Sequence, residues 1–280
     1  MKSLGVIGSG NMGSGIAQSG AQYGYEVVIF DIQKENLVRS KDSITSSLYK
    51  RVRKSKMTIN EADRIIQRIL FTSRIHDLMN CEIIIEAVFE NLEIKKSLMA
   101  EIESFANKDA LLATNTSSLS ITDIASNMKN SSRLIGIHFF NPVPSMKLVE
   151  IVRTNNTIKA DVERAKVFVK SLNKEFVISN DTPGFIVNYL QYPFRLNAMR
   201  MLEKGMASVE DIDKAARLGL GHPMGPLELQ DLVGLDITYN ATTIIYEKTK
   251  DPIMKPPEIL KKMVDKGFLG VKTGKGFYDY

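Results

Sequence analysis

The sequence is poor in the residues that build metal and disulfide sites: one cysteine, three histidines and no tryptophan in 280 residues. A lone cysteine, Cys81, excludes an internal disulfide framework and fits a reducing compartment, so a cytoplasmic location is expected. His76, His138 and His222 lie far apart, and no His/Cys cluster has metal-ligand spacing. No run approaches the roughly 18 consecutive apolar residues that a membrane span needs. The sequence passes from Met1-Lys2 straight into a strand-like run, so no signal peptide is expected. Repeats and low-complexity segments are also missing. Hydrophobic content of 44% and charged content of 25% are those of an ordinary soluble globular protein.

What is present is an alternation. Apolar, β-branched runs at 2–7, 26–30, 82–88, 110–113, 134–140, 148–152 and 175–178 read as strands, with helical stretches between most of them. The first helix is expected over 14–24. Residues 34–70 read as a helical hairpin, with Leu37, Ile44, Leu48 and Val52 on one face, Ile65, Ile66 and Ile69 on another, and a turn from Lys54 to Asn60. Strands alternating with helices predict a mostly parallel sheet covered on both faces. After "NDTPGFIVNYL" the strands stop, and 185–204, 208–218, 226–247 and 256–266 read as helices. The expected domains are therefore 1–182, α/β, and 183–280, all-helical.

The net charge of +5 is unevenly spread: between Lys34 and Arg74 there are eleven Lys/Arg against four Asp/Glu. A basic face attracts any polyanion. No nucleic-acid-binding motif accompanies it, so a small polyanionic substrate or a solvated helix face are the readings to weigh.

"VIGSGNMG" sets Gly8, Gly10 and Gly13 in G-x-G-x-x-G spacing between a strand and a helix, with Ser9, Asn11 and Met12 between them. Such a loop turns tightly, admits a pyrophosphate to the backbone and packs helix on strand, while the helix N-terminus holds phosphate. Asp31 follows 18 positions after Gly13, at the end of the second strand, where an acid bonds the ribose 2′-hydroxyl and repels a 2′-phosphate. The context predicts a Rossmann-type domain that binds NAD.

Ligands of such sheets sit at the carboxyl ends of the strands. "ATNTSSLS" follows the strand at 110–113, and His138 ends the strand at 134–140. The turn at Asn141-Pro142-Val143-Pro144 then reverses the chain, which would let Glu150 on the returning strand face His138. An imidazole there can take a hydroxyl proton while hydride leaves the same carbon. A carboxylate on its other nitrogen fixes the tautomer. His76 and His222 are read as structural, Cys81 as core, and Ser117 lacks the G-x-S-x-G setting of a hydrolase nucleophile.

"GVIGSGNMGSGIAQ", "ATNTSSLSI", "HFFNPVPSMKLVEIV", "PGFIVN", "HPMGPLEL" and "GKGFYDY" together resemble, in order and nearly end to end, the short-chain 3-hydroxyacyl-CoA dehydrogenases. The resemblance implies NAD-linked interconversion of (S)-3-hydroxyacyl-CoA and 3-oxoacyl-CoA, and a homodimer or higher oligomer joined through the helical domain. It implies His138 as catalytic base, Glu150 as its partner, Ser117 as the residue that bonds the reacting oxygen, and Asn188 as a substrate contact. Glu90, Lys95, Ser117, Asn141 and Lys272 match further cofactor contacts; Ser47, Lys54 and Lys56 match the grip on CoA, whose phosphates account for the local positive charge. Tyr189 and Asn197 depart from the family pattern. Two rival readings are a related hydroxyacid or sugar-acid dehydrogenase and a non-catalytic nucleotide-binding protein; intact Ser117, His138, Glu150 and Asn188 argue against the second.

Overall fold

The apolar runs of the first part of the chain become eight strands: β1 (Ser3–Ile7), β2 (Glu26–Phe30), β3 (Ile69–Thr72), β4 (Ile83–Glu86), β5 (Leu111–Thr114), β6 (Leu134–Phe139), β7 (Leu148–Arg153) and β8 (Glu175–Asn180). The computed structural model, which describes residues 2–280, joins them in one sheet of order β3-β2-β1-β4-β5-β6-β7-β8. Every neighbouring pair is parallel except β6–β7, where the chain turns back. β4, β5 and β6 are buried at every position, as strands covered on both faces must be. On one face Leu4, Val6, Ile85, Ile137 and Ile151 pack in the main core with Ile16 and Ile44. On the other, a Cβ built on Gly5 would meet Leu78 and Cys81, and one on Gly136 would meet Ile121.

The crossovers are α1 (Asn11–Gln22), the pair α2 (Lys34–Arg53) and α3 (Ile59–Gln67), α4 (Leu92–Phe105), the short α5 (Ile121–Ile124) and α6 (Lys159–Ser171). Two expectations need correction. α1 starts three residues early, because Gly10 takes the N-cap position with extended backbone. The helical hairpin stops at Gln67 rather than 70: Ile69–Thr72 is the edge strand β3, paired with β2. A short apolar run ("ILFT") carries no period that separates a helix end from a strand; the free edge of β2 decides it. α3 is closed at its start by a reciprocal capping box between Thr58 and Glu61.

The chain divides into two compact units after Thr182. The second unit is helical: α7 (Val187–Glu203), α8 (Val209–Gly219), α9 (Pro226–Val233), α10 (Leu235–Thr249) and α11 (Glu258–Asp265). Leu196, Met199, Ile212, Leu227, Leu235 and Leu260 form its core. The single helix expected over 226–247 is two, broken at Gly234, whose φ of +107° no helix accommodates. The C-terminal segment is tied to α9 by Asp231, which accepts hydrogen bonds from the Phe277 and Tyr278 amides. No helix of the described residues is long and apolar enough to cross a membrane.

Candidate active site

β1 and β2 end at the same sheet edge and deliver the glycine loop and Asp31 there. Gly8 has φ +94°, and a Cβ on it would lie 2.7 Å from the Ala87 carbonyl oxygen; a Cβ on Gly13 would lie 1.8 Å from that of Gly8. Both glycines are required by the protein's own packing. Gly10 is different: a Cβ there meets nothing within 4 Å. The space it faces belongs to a cavity of about 830 Å³, walled by residues 7–12, 30–32 and 87–89. Asp31 stands at its side, with Oδ2 accepting from the Ser9 amide and hydroxyl (2.9 and 2.8 Å) and Oδ1 from the Gln33 amide and Asn36 Nδ2 (3.0 and 3.1 Å). Burial alone would raise this carboxyl, but the four hydrogen bonds outweigh it and hold Asp31 below its ordinary range. A room left open over a helix N-terminus, beside an ionised acid at the ribose position, fits a dinucleotide.

At the end of β6, His138 pairs directly with Glu150 across the antiparallel β6–β7 ladder. Directly opposed residues point to the same face, so Nδ1 of His138 lies 2.7 Å from Oε2 of Glu150. Both are buried, Glu150 completely. The Phe140 ring tilts against the imidazole, with centroids 4.6 Å apart. β5 and β6 are in register only as far as Thr114 and Gly136. Beyond that point the Phe139 amide donates instead to Oδ1 of Asn115, at 2.8 Å. Asn115 thus replaces a ladder bond where the strands part, one residue beyond His138.

Ser117 lies in the loop after β5, and a carboxylate organises that loop. Glu90 accepts from Thr116 Oγ1 (2.5 Å), the Ser117 amide (3.1 Å) and Ser118 Oγ (3.2 Å). Burial pushes Glu90 up, while the Lys95 charge and these bonds bring it below its usual value. Lys95, 1% exposed, is clamped between Glu90 (3.3 Å) and the fully buried Glu86 (2.6 Å), which also accepts from Thr114 Oγ1 (2.6 Å). The Lys95 ammonium stands behind the loop and does not itself line the nucleotide cavity, although its Nζ lies 3.5 Å from the carbonyl of Val88 in the cavity wall. Lys272, in the second unit, is held by both oxygens of Asp236 at 2.6 Å. Asn188, also in that unit, is buried and accepts from Gln191 Nε2 at 2.7 Å.

The basic hairpin flanks a cavity of about 480 Å³ with Arg51, Lys56, Arg64, Arg68, Lys147 and Lys174 on its walls and one carboxylate, Glu61. Glu61 accepts from the Thr58 amide and hydroxyl, which hold it ionised, so it offsets one of those charges and leaves the lining in positive excess. Lys174 is bound to the Val143 and Met146 carbonyls, and burial lowers its ammonium. A smaller cavity, about 220 Å³, brings Ser47 and Asn141 together and shares Pro144 and Ser145 with the larger one. Lys54, the C-cap of α2, lines neither.

Of the residues left outside the site, His76 packs on Phe105 and His222 on Phe194. Sequence reasoning missed Glu86, Asn115 and Thr116, whose partners lie far along the chain. It also missed Arg51, Arg64, Arg68 and Lys147 individually, although the local excess of positive charge pointed to three of them.

A parallel sheet with a glycine-cradled cavity, and a buried imidazole–carboxylate pair at the same edge, defines a dinucleotide-dependent oxidoreductase. Residues 3–182 match the family model for the 3-hydroxyacyl-CoA dehydrogenase NAD-binding domain, and residues 184–280 that for the C-terminal domain of the same family. The chain is 43% identical, over 99% of its length and 98% of the relative's, to a 3-hydroxybutyryl-CoA dehydrogenase of Mycobacterium tuberculosis. It is 42% identical, over 100% and 91%, to the human mitochondrial hydroxyacyl-coenzyme A dehydrogenase. The crystal structure of (S)-3-hydroxybutyryl-CoA dehydrogenase from Ralstonia eutropha superposes with a TM-score of 0.97 at 36% identity, covering 100% of this chain and 99% of that one. The chain belongs to the 3-hydroxyacyl-CoA dehydrogenase family, oxidoreductases that act on a CH–OH group, and its cofactor is NAD.

Proposed function

We propose that this protein interconverts (S)-3-hydroxybutyryl-CoA and acetoacetyl-CoA, with His138 as the acid/base and Glu150 as its orienting partner. The observation that carries the reading is the buried 2.7 Å contact between Nδ1 and Oε2 at the carboxyl edge of the sheet. Glu150 engages Nδ1, and Nε2 is the nitrogen that exchanges a proton with the oxygen on C3. In the oxidative direction Nε2 removes the hydroxyl proton, and the imidazolium that forms is stabilised by the buried carboxylate. NAD held over the glycine loop would supply the hydride acceptor for C3, and in its reduced form the donor for the reverse reaction. Gly8, Ser9, Gly10, Asn11, Met12 and Gly13 cradle the pyrophosphate, and Asp31 takes the ribose 2′-hydroxyl.

Ser117 and Asn188 hold the substrate oxygens in this scheme, and Glu90 and Lys95 serve the cofactor side by holding the serine loop. The phosphates of CoA lie along the hairpin, with Ser47 and Lys56 joined by Arg51, Arg64 and Arg68. A cluster of cations that outnumbers its single carboxylate supports this placement. A homodimer formed through the second unit is supported by the large apolar side chains exposed there, among them Leu190, Leu218, Leu220 and Leu232. The buried Cys81 is compatible with a cytoplasmic enzyme.

The test is NADH oxidation with acetoacetyl-CoA, with free acetoacetate and with a sugar acid as its 3-oxo form. Turnover confined to the thioester supports the reading; turnover confined to free acids overturns it. His138→Gln should slow the thioester reaction by at least about 100-fold, the lower end of what general base catalysis contributes. NADH affinity should remain intact.

A further inference from the structure

The loop that carries Ser117 is held at two points, and both are carboxylates. Glu90 binds its first half, residues 116–118. Its second half is bound by Asp181, a residue with no part in the scheme above. Asp181 Oδ2 accepts from Ser120 Oγ (2.8 Å), the Thr122 amide (2.8 Å) and Thr122 Oγ1 (2.6 Å), while Oδ1 accepts from the Ile121 amide (2.9 Å). All four donors are neutral and lie about 60 residues away in sequence. The attachment is therefore tertiary, with directional bonds on both carboxylate oxygens.

Asp181 is itself fixed to the strand pair that carries the acid of the active site. Its amide donates to the Arg153 carbonyl at 2.8 Å, one step beyond the last β7–β8 pair, Arg153 with Asn180. β7 holds Glu150, and Glu150 holds His138. On the loop side, Ile121 is fully buried against β6 beneath Gly136, two residues before His138. One carboxylate thus spans from the backbone of β7 to the segment immediately following Ser117.

We propose that Asp181 is a positioning residue for the reaction: it sets the distance between the Ser117 hydroxyl and the His138–Glu150 pair by tying the serine loop to β7. The inference rests on the reading that Ser117 bonds the reacting oxygen. A displacement of about 1 Å at a reacting group can slow turnover on the order of 100-fold. On this proposal, loss of the tether reaches the chemistry through Ser117 rather than through β6 or β7.

The experiment is a double-mutant cycle of Asp181→Ala and Ser117→Ala, with kcat on acetoacetyl-CoA, NADH Kd and Tm measured for each variant. Asp181→Ala should lower kcat roughly 10- to 100-fold with NADH Kd unchanged. Asp181→Asn, which keeps an acceptor for the Ile121 amide but not for the remaining donors, should fall between it and the parent. In the double variant the Asp181 change should add nothing, within about twofold, to the loss caused by Ser117→Ala. Losses that multiply, or a lower Tm with kcat preserved, would overturn the proposal and leave Asp181 a structural cap. Normal turnover in Ser117→Ala would instead remove the role of the serine, and the proposal with it. Should Asp181→Ala fail to fold, the same cycle run with Asp181→Asn decides the question.

Discussion

Replacing Glu150 by glutamine changes one oxygen to an amide and leaves the side-chain shape in place. The perturbation falls on a fully buried group 2.7 Å from Nδ1 of His138. A hydrogen bond to a charged partner contributes about 1.5–3 kcal/mol. At about 1.4 kcal/mol per tenfold change in rate, loss of that contribution in the transition state slows turnover by roughly 10- to 150-fold. A second effect acts in the same direction. A glutamine can donate to Nδ1 through its amide, which selects the tautomer that carries its proton on Nε2, the wrong form for a base. In hydrolytic triads the corresponding acid-to-amide change costs about 10⁴. The expected result for Glu150→Gln is a kcat lowered between about tenfold and 10⁴-fold. Glu150 does not line the nucleotide cavity, so NADH affinity should be unchanged. Steady-state NADH oxidation with saturating acetoacetyl-CoA measures the first quantity, and quenching of NADH fluorescence on titration the second. A kcat within twofold of the parent would refute the argument that the carboxylate stabilises a charge formed on His138.

Three further outcomes follow from named contacts. Gly10→Ala should fold with nearly unchanged Tm, because its Cβ meets no protein atom, yet should weaken NADH binding by tenfold or more, of order 1.4 kcal/mol or above; an unchanged Kd would mean that the pyrophosphate does not approach there. Asp31 has its folded pKa below the ordinary value, so its charge contributes stability at neutral pH that is lost as acid brings the solution down through the folded value. Asp31→Asn should flatten that acid limb of Tm against pH and raise the ratio of NADPH to NADH turnover; an unaltered ratio would count against its ribose role. Burial pushes the Cys81 thiol up to about 11, so in the native protein it should resist alkylation at neutral pH and react only after denaturant is added; rapid native labelling would contradict its placement in the core.

The fold was legible where periodicity and flanking residues agreed. β2 occupies the residues its pattern indicates, and the α2 face of Leu37, Ile44 and Leu48 is buried as its spacing requires. The errors fall where two elements share one composition. Ile66, Ile69 and Phe71 are apolar whether the chain continues as a helix or turns into a strand, and the unpaired edge of β2 is what makes Ile69–Thr72 a strand. The break at Gly234 was hidden for a related reason. A single glycine is tolerated within many helices, and only its φ of +107° shows that this one ends α9.

Legibility of the site follows a similar boundary, set by how far apart the cooperating residues stand in sequence. The glycine loop is compact, and its partner Asp31 is one strand away, so spacing alone assembled them. His138 and Glu150 are separated by a single turn, and a period of two along antiparallel strands brings them to one face. Glu90, Asn115 and Asp181 reach their partners across 26, 24 and about 60 positions, through loops whose courses no local pattern specifies. Each meets a need that arises at the carboxyl edge: Asn115 takes the Phe139 amide where β5 and β6 part, Glu90 takes the Ser117 amide in the loop, and Asp181 takes the first amides of α5; a buried donor left unpaired costs about 1–3 kcal/mol. The side chains that satisfy those donors also fix the loops from which the chemistry is built. Opening the sheet to admit ligands thus creates the demand for polar residues beside the catalytic groups, and a sequence shows the groups before it shows what holds them.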